Sequence, residues 1–338
     1  MRVDMRLNLQ APNWARPLSE LYPVALDMAR WADDNGLDAI RIGEHHGTED
    51  NWCPSIMVLG SAVAAVTKRI KINLSAVLLP LHDPLFVAED LAVLDLISNG
   101  RLEVVVAAGY NAAEFEMFGV DRSKRGTLVE EGVKTLRLAW TGEPFEYQGR
   151  TVRVTPKPGR AGGPPLILGG SGGAAAKRAV RLGMDYFPLN AEAYEVFQEE
   201  RLAQGLPRAK EYSRGGPHLI HVTDDVDAAW EVLAPHFLLE SGNYAAWTKT
   251  DTPTSGPTGV VPPTVDELRA GGKYVVVTPD EAVELVRSLS PDTIITVHPL
   301  VTGLDPEHGW RSLELFAESV IPVVREINAD LARTAHGS

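Results

Sequence analysis

Strand-like and helix-like patterns of apolar and polar residues alternate along the whole chain. The strand-like runs lie at residues 2–9, 38–44, 70–77, 101–108, 165–169, 184–189, 217–223 and 292–298, and helical stretches separate most of them. Eight β segments with helical crossovers predict an α/β fold of the (β/α)8 TIM-barrel type. We expect one domain over residues 1–338, because barrels commonly reach this length and no Ser-, Gly- and Pro-rich linker divides the chain near its middle.

Apolar and polar residues also alternate within the predicted strands. In the first strand, Val3, Met5 and Leu7 alternate with Asp4, Arg6 and Asn8. Central strands of an open doubly wound sheet are apolar on both faces, so the alternation favours a barrel whose polar positions face the lumen. Buried charges need partners. We therefore expect an ion network low in the barrel among Asp4, Arg6, Arg41, Lys71 and Glu103, below Asn8, His45 and Ser75.

The composition is that of a soluble globular protein and argues against several kinds of partner. The 338 residues are 44% hydrophobic and carry a formal net charge of -13, without a basic block that could neutralise phosphates. One cysteine excludes an intrachain disulfide framework. No apolar run approaches the length of a membrane span, and the first residues lack a signal-peptide core. We expect a cytoplasmic protein with neither nucleic-acid nor membrane partners.

Glu44, His45 and His46 stand where the second predicted strand stops being apolar. Ionisable groups at the carboxyl end of a strand mark the place of chemistry in barrel enzymes. Strand alternation points His45 into the lumen and the other two side chains toward the helices. His45 is therefore the candidate general acid or base, with Glu44 and His46 orienting it or packing around it. A capped strand end with surface histidines is the plainer alternative.

A hydrolytic metal site is another alternative, with Glu44, His45, His46, His82 and Asp83 as potential ligands. We expect no metal, because adjacent histidines diverge on a strand and the H-x-H spacing is absent. Cys53 is read as a small packed residue at a helix start rather than as a nucleophile.

Two segments are too long and irregular to be simple connections. Residues 141–165 indicate an excursion with a short hairpin after the fourth strand, and residues 242–275 indicate a mobile substrate lid, or a disordered segment, after the seventh. Four aromatic residues in or near predicted loops are candidates for the wall of a substrate cavity or for ordinary loop packing: Trp14, Trp52, Tyr110 and Trp247.

A glycine-rich turn follows the fifth predicted strand and precedes a helix. It comprises Gly169, Gly170, Ser171, Gly172 and Gly173. Glycines let the backbone approach an anion, and the helix start offers free N–H groups and a positive dipole end, so the turn predicts a phosphate site. The turn also fits a degenerate dinucleotide pattern, but no acidic residue ends the next strand, so we favour a mononucleotide phosphate over NAD.

The ordered set of motifs resembles the luciferase-like, flavin-dependent monooxygenase family over nearly the whole chain. Those motifs are Glu44-His45-His46, Pro54, the run 67–72, Leu79-Pro80-Leu81-His82-Asp83-Pro84, Ala88-Glu89-Asp90, the run 95–101, Gly109-Tyr110-Asn111, Glu114-Phe115, Phe118-Gly119, Gly142-Glu143-Pro144 and the run 169–172. Each is weak alone, whereas their order and spacing are specific.

The resemblance implies a (β/α)8 barrel that binds reduced FMN at the carboxyl ends of its strands. It places the phosphate on residues 169–173 and on Arg125, and it places a non-prolyl cis peptide beneath the flavin ring at Ser75-Ala76. The small residues 107–109, together with Tyr110 and Glu44, would lie around the cofactor. The chain departs from the family at Ala107-Ala108, where a second phosphate arginine is expected.

The chemistry implied by the resemblance is the reaction of reduced FMN with O2 to a C4a-peroxyflavin, which oxidises a small organic substrate such as an aldehyde or ketone. His45 would handle the proton in a dry site. Since the sequence shows no convincing NAD(P)H site, a separate NAD(P)H:flavin reductase would supply the reduced FMN. The alternatives are an F420-dependent dehydrogenase on the same barrel and a non-catalytic flavin-binding protein.

By analogy with the family, we expect a homodimer formed through the helices that follow the second and third strands, at about residues 54–67 and 84–98. Both helices carry apolar runs that suit an interface, Ala62 to Val66 and Leu91 to Leu94, although a buried helix would show the same pattern.

Overall fold

The computed structural model describes residues 1–209, 217–248 and 263–336. Its strands are β1 (Arg2–Arg6), β2 (Ala39–Ile42), β3 (Lys71–Leu78), β4 (Leu102–Ala107), β5 (Phe145–Tyr147), β6 (Arg150–Val152), β7 (Leu166–Gly170), β8 (Asp185–Pro188), β9 (Leu219–Val222), β10 (Tyr274–Val277) and β11 (Ile294–Val297). Its helices are α1 (Leu18–Asn35), α2 (Ile56–Val66), α3 (Pro84–Ser98), α4 (Ala112–Met117), α5 (Arg125–Ala139), α6 (Gly173–Arg181), α7 (Ala191–Ala203), α8 (Val226–Thr248), α9 (Val265–Ala270), α10 (Pro279–Ser288) and α11 (Pro306–His336).

Seven of these strands form one parallel sheet in the order β11-β1-β2-β3-β4-β7-β8. In this register, for example, Met5 of β1 lies opposite Val297 of β11 on one side and opposite Ile40 of β2 on the other. Helices connect successive strands, as parallel pairing requires. The α/β class predicted from the alternating pattern is therefore confirmed, and each of the eight predicted runs contains a strand.

The strand of the predicted run 217–223 differs from expectation in its pairing. β9 forms a parallel pair with β10, in which Leu219 lies opposite Tyr274. Within the described parts of the chain, no ladder joins this pair to the seven-stranded sheet, although β9 lies against β11 and α11. The strand pairing that is present therefore makes seven strands of a parallel sheet rather than a complete ring of eight.

Local sequence signals set several helix ends. Asp83 caps α3, because its Oδ1 accepts from the Leu85 N–H, and Pro84 begins the helix. Thr278 and Glu281 form a capping box at the start of α10. These caps hold the connections after β3 and β10 in defined positions.

The alternation within strands sorts side chains as the sequence predicts. Met5, Ile40 and Leu74 are fully buried in an apolar cluster that extends along the chain from Val3 to Val324. The polar positions form much of the predicted ion network. Asp4 accepts from Arg2 at 2.6 Å and from Arg41 at 2.7 Å, Lys71 Nζ lies 2.6 Å from Glu103, and Arg2 links the two groups at 3.6 Å.

The prediction that Arg6 joins this network is wrong. Its guanidinium lies 3.2 Å from Glu240 of α8, and its Nη1 lies 2.6 Å from Nε2 of His218. Arg6 is the last residue of β1, where α8 covers the sheet, so the closest carboxylate comes from that helix. Burial lowers the pKa of Arg6, but the nearby Glu240 outweighs burial and the net pKa is raised.

Of the two segments that were predicted to be irregular, one contains the expected hairpin and the other is largely helical where the structure describes it. Residues 141–165 contain the antiparallel pair β5 and β6, with Phe145 opposite Val152. The expectation of a loop over residues 242–275 is wrong where the structure describes that segment, because α8 continues to Thr248 and α9 and the start of β10 follow. Residues 249–262 of the predicted lid lie outside the described residues. In the described ranges, no helix is both long enough and apolar enough to cross a bilayer.

Candidate functional site

The predicted site residues gather where β2, β3, β4 and β7 end. Chain segments after β2 and β4 bring His45 and Glu114 together, although 69 positions separate them in sequence. The structure places the three residues of the Glu44-His45-His46 triplet in two different environments. His45 contacts Glu114 and aromatic rings, whereas Glu44 and His46 contact each other and His82.

The imidazole of His45 is held by one buried carboxylate. Its Nδ1 lies 2.8 Å from Oε1 of Glu114, and the same oxygen accepts from the backbone N–H of His46 at 3.0 Å. Asn111 caps the start of α4 through Ala113 N–H, which fixes the turn that carries Glu114. A carboxylate acceptor at Nδ1 places the proton of a neutral imidazole there. Nε2 then presents a lone pair, 3.5 Å from the hydroxyl of Tyr110.

Aromatic side chains also pack around His45. Ring centroids lie 4.4 Å from His45 for Trp247, 4.7 Å for Trp52 and 6.4 Å for Tyr244. Trp52 is fixed by its indole N–H, which donates to the Gly43 carbonyl at 2.9 Å. We call the rings of Trp52, Tyr244 and Trp247 the aromatic wall. Two of the three, Tyr244 and Trp247, belong to α8, in the part of the chain that was predicted to be a loop.

The two tyrosines near His45 stay protonated at physiological pH. Burial raises the pKa of Tyr110 well above its ordinary value. Burial also raises the pKa of Tyr244 to about 12, against the opposing effect of Arg6, whose Nη2 lies 3.3 Å from the Tyr244 hydroxyl. Both hydroxyls therefore act as neutral hydrogen-bonding groups.

Glu44 is the centre of a second cluster. Its Oε1 lies 2.6 Å from Nε2 of His46 and 2.6 Å from Nε2 of His82, and its Oε2 accepts from the Leu78 N–H at 3.2 Å. Burial raises the pKa of Glu44, but the hydrogen bonds from the two imidazoles outweigh burial and hold the pKa below its ordinary value. For His82 burial lowers the pKa, and the bond to Glu44 gives a net increase.

These three side chains also form a possible metal-ligand set, with their ligand atoms within 4.8 Å of one another. Two zinc ligands at about 2.0 Å from a tetrahedral ion would lie roughly 3.3 Å apart. The 2.6 Å separations are those of N–H groups that donate to a carboxylate. The geometry therefore favours a hydrogen-bonded cluster, and the expectation of no metal stays a prediction. Glu44, His46 and His82 were grouped from the sequence as potential metal ligands, but the hydrogen-bonded bridge through Glu44 is seen only in the structure, where the segments after β2 and β3 meet.

Small residues at the ends of β3 and β4 leave the backbone partly accessible. Ser75 and Ala76 are half-buried between buried neighbours, and the peptide bond between them is cis, as the family resemblance led us to expect. Ala107, Ala108 and Gly109 are likewise half-buried, and Gly109 has a φ of +74°. The small side chains at these positions leave the backbone partly exposed, and the placement of a flavin ring against them stays a prediction.

The glycines of the turn after β7 serve two different purposes. A Cβ at Gly169 would lie 2.9 Å from Val105, and one at Gly170 would lie 2.5 Å from Ala175, so close packing requires these two glycines. A Cβ at Gly172 would meet nothing within 4 Å. Gly172 is the N-cap of α6, so the open space lies where the N–H groups of the first helical turn are available.

Cationic side chains lie near this turn. Arg125 begins α5, and Arg178 of α6 lies against the following residue, since a Cβ at Gly126 would lie 2.3 Å from the Arg178 guanidinium. Arg178 also donates to Glu130 at 3.1 Å. The start of α5 therefore lies against the last turn of α6, where Arg178 stands. Arg178 was not predicted from the sequence.

The structure also shows functional candidates that sequence reasoning missed. Glu114 was noted only as part of a family motif, and Tyr244 and Glu240 were not singled out. The capping residue Asn111 three positions before Glu114 marks a helix start, but nothing local shows that the helix turns a carboxylate toward His45. Trp14, a predicted cavity aromatic, packs instead edge-on against His236.

Comparison with known proteins gives a consistent result. A family model described as luciferase-like monooxygenase matches residues 5–289. The oxygenase component of the flavin-dependent trigonelline monooxygenase of Acinetobacter baylyi is 24% identical and covers 98% of this chain and 97% of its own length. The FMNH2-dependent dimethylsulfone monooxygenase of Pseudomonas fluorescens is 26% identical over 88% of this chain and 85% of its own.

Among solved structures, the fold is similar to that of the oxygenating constituent of 3,6-diketocamphane monooxygenase from Pseudomonas putida, solved in complex with FMN. The TM-score is 0.74 at 20% identity, and the match covers 96% of this chain and 98% of the other. At this identity, the likeness concerns the arrangement of strands and helices.

Proposed function

This chain belongs to the luciferase-like monooxygenase family, and from that premise we propose that it is the oxygenase of a two-component system, which uses reduced FMN and O2 to oxidise a small organic substrate such as an aldehyde or ketone. The family and the flavin-dependent monooxygenases among its relatives support an oxidoreductase that uses a flavin. The single observation that carries the assignment is His45, a buried imidazole held by Glu114 and packed against the aromatic wall.

The described residues fit FMN. The open space at Gly172 and the free N–H groups at the start of α6 suit the phosphate, and Arg125 at the start of α5 is the cation that the family resemblance assigns to it. Ser75, Ala76 and the residues 107–109 leave room for the ring, and the similarly folded Pseudomonas putida enzyme was solved with FMN. Bound reduced FMN would supply the electrons that activate O2. We also propose that the strands complete the (β/α)8 barrel of the family, with Glu44 near the cofactor side of the pocket.

The protein's own part in the reaction is to position, to handle a proton and to exclude water. Glu114 keeps the proton on Nδ1 of His45, so Nε2 can take a proton from the reacting group and return it. The Tyr110 hydroxyl, kept neutral by its raised pKa, lies beside Nε2. The aromatic wall packs against His45 and would help to exclude bulk water from this pair.

The test is the rate of substrate oxidation by reduced FMN supplied chemically, in His45→Ala and in the native protein. We expect turnover to fall by roughly 10²- to 10⁴-fold with FMN affinity changed little, because a positioned general base contributes on that scale. His308→Ala, at an exposed position on α11, is the matched control. Native turnover in His45→Ala would remove His45 from the mechanism.

The alternatives make different demands on the same protein. An F420-dependent dehydrogenase would bind F420 more tightly than FMN and would not consume O2, and a flavin-binding protein would bind FMN without turnover. A separate reductase is also part of the proposal. If the purified protein with FMN consumed NADH at the rate of substrate turnover, the two-component assignment would be wrong. The homodimer remains part of the proposal by analogy with the family, and the cytoplasmic location remains a prediction from the sequence alone.

A further inference from the structure

Two kinds of residue occur around the proposed site. The ends of β3 and β4 present small, half-buried residues, among them Ala76 and Gly109, and the proposed function assigns the flavin ring to them. The aromatic wall, supplied by α8 and by Trp52 of the connection after β2, contacts His45. Since His45 is the proposed proton-handling group, the second reactant must come close to it and therefore to the rings of the wall.

One face of α8 holds the wall in place. Glu240, Asn243, Tyr244 and Trp247 follow each other at helical spacing, so they project from the same face. Glu240 pairs with Arg6 at 3.2 Å, and Asn243 donates to Asp50 at 2.6 Å, which also accepts from Gln10 at 2.9 Å. These polar anchors connect α8 to the ends of β1 and β2. They fix the direction in which the next two aromatic side chains point.

The three rings of the aromatic wall pack against one another. Their centroids lie 5.8 Å apart for Trp52 and Tyr244, 5.9 Å for Trp52 and Trp247, and 6.0 Å for Tyr244 and Trp247, and the two pairs that include Tyr244 meet at 79°. Trp52 is buried, while Tyr244 and Trp247 are partly accessible. The partly exposed rings of Tyr244 and Trp247 lie beside His45, at ring-centroid distances of 6.4 Å and 4.4 Å.

We propose that Tyr244 and Trp247 form the substrate subsite and that the substrate is a flat, unsaturated ring compound rather than a flexible alkyl chain. This rests on the function proposed above. Edge-to-face or offset contacts of two rings add about 0.5–1.5 kcal/mol beyond their buried area. A flexible chain gains no such contact and loses rotational freedom when it binds. A rigid ring next to His45 therefore binds better than a chain of equal carbon number.

Two probe aldehydes with the same number of carbon atoms separate the possibilities, 2-naphthaldehyde and n-undecanal. Their dissociation constants are measured by calorimetry with the full-length protein loaded with FMN. We expect the flat aldehyde to bind at least about tenfold more tightly, the size of one or two ring contacts. Equal affinity, tighter binding of undecanal, or no binding of either aldehyde to the FMN-loaded protein would overturn the proposed substrate class.

Substitutions in the aromatic wall test whether Trp247 contacts the bound aldehyde. Trp247→Ala should weaken 2-naphthaldehyde binding by about tenfold and leave undecanal and FMN affinity within about twofold, while Trp247→Phe should restore most of the loss. Trp14→Ala removes an exposed indole that packs against His236 and serves as the control. An equal loss of FMN affinity in Trp247→Ala would assign the wall to the flavin and overturn the proposal.

The outcomes also separate this inference from the proposed function. A protein that binds no reduced FMN contradicts the proposed function itself. A protein that binds FMN and oxidises a substrate, yet does not prefer the flat aldehyde, contradicts only the assignment of the aromatic wall.

Discussion

The three consecutive residues that follow β2, Glu44, His45 and His46, have different neighbours in this protein. The side chains of Glu44 and His46 meet each other and His82, whereas that of His45 meets Glu114 and the aromatic wall. The period of two in an extended chain separates them, so the separation of His45 from its neighbours could be read from sequence. The identity of the carboxylate at His45 could not, because Glu114 comes from a helix after a different strand.

The first prediction concerns Glu114. Glu114→Gln keeps the size of the side chain and an acceptor oxygen but removes the charge that stabilises a proton held by His45. We expect turnover to fall by up to roughly 10⁴-fold, in line with loss of a carboxylate that orients a catalytic histidine, with FMN affinity and thermal stability nearly unchanged.

Glu116→Gln is the control for this change, since Glu116 is exposed on the same short helix. Turnover is measured with chemically reduced FMN, and stability by the melting temperature of each variant. A Glu114→Gln enzyme as fast as the native one would show that this carboxylate does not serve His45.

At the scale of elements, α8 and the turn before α6 position the site. α8 carries two of the three rings of the aromatic wall and ends in a region whose sequence, rich in Thr, Pro and Gly after Thr248, suggested a loop. Contacts with distant residues, above all the ion pair between Glu240 and Arg6, hold α8 in place. The local sequence does not show these contacts. The glycine turn was identified from sequence, but its division into packing glycines and an open one depends on Val105 and Ala175.

A second prediction concerns the anchor of α8. Burial raises the pKa of Glu240, but Arg6 and His218 outweigh burial and keep it well below its ordinary value, so this carboxylate is charged. Glu240→Gln leaves the guanidinium of Arg6 buried without its charged partner. We expect the free energy of unfolding to fall by about 3–5 kcal/mol, measured by urea denaturation.

Glu231→Gln, at an exposed position of the same helix, should change stability by less than about 0.5 kcal/mol. If both variants lost the same small amount, the contact between Glu240 and Arg6 would not anchor the helix.

A third prediction concerns Gly172. Its φ of -119° is accessible to any residue, and a Cβ there meets no neighbour within 4 Å. Gly172→Ala should therefore leave the protein as stable as before or stabilise it by up to about 1 kcal/mol. The added methyl group would stand in the space assigned to the phosphate, so FMN affinity should fall by about tenfold.

Flavin fluorescence titration measures the affinity, and thermal unfolding without FMN measures the stability. Unchanged affinity in a stable Gly172→Ala protein would place the phosphate elsewhere.

At the scale of the whole molecule, buried titratable groups affect how stability depends on pH, and exposed apolar groups affect self-association. Two buried histidines, His221 of β9 and His298 after β11, lie inside, whereas large apolar side chains on α2 and α3 lie outside. Neither property follows from the composition. Both depend on which surfaces the helices cover.

The fourth prediction is a loss of stability in mild acid. Burial lowers the pKa of His221 to about 4, and burial together with Arg6 lowers the pKa of His298 to about 3, from an ordinary 6.5. Below pH 6.5 the unfolded chain binds these protons and the folded protein does not. The free energy of unfolding should therefore fall as the pH drops from 6.5 toward 4, by up to about 2.7 kcal/mol per pH unit from these two groups.

Urea denaturation at several pH values measures this slope in the native protein and in His221→Gln. The variant lacks one of the two groups, so its slope should be shallower by up to about 1.4 kcal/mol per pH unit. Identical slopes would show that His221 takes up its proton in the folded state.

The fifth prediction concerns the homodimer. Val58 of α2 and Phe86 of α3 are 72% and 69% exposed, and Val93, Leu96 and Ile97 of α3 are also exposed. The two helices pack side by side, so these side chains make a joint apolar surface that a second copy of the chain could cover. Phe86→Glu should weaken dimerisation by at least about tenfold, measured by light scattering over a range of concentrations.

Leu331→Glu, on the exposed part of α11, is the control and should leave the dimer intact. A native protein that is monomeric at all concentrations would contradict the prediction.

The sequence by itself determined the local features of this protein. The period of two in the strands, the caps at Asp83 and Thr278, the glycine turn before α6 and the ordered family motifs all depend on residues close together in the chain. They were sufficient to predict eight strand segments, the α/β class, the family, and the distinct position of His45.

Only the tertiary structure decided which distant groups meet. It brings Glu114 to His45, His82 to Glu44 and Glu240 to Arg6, and it pairs β9 with β10. No periodicity within one segment encodes such contacts, because each depends on how two elements pack and on the direction in which their side chains then point. The ion network was predicted correctly where its members share adjacent strands, and it was wrong at Arg6, where a helix far along the chain supplies the partner.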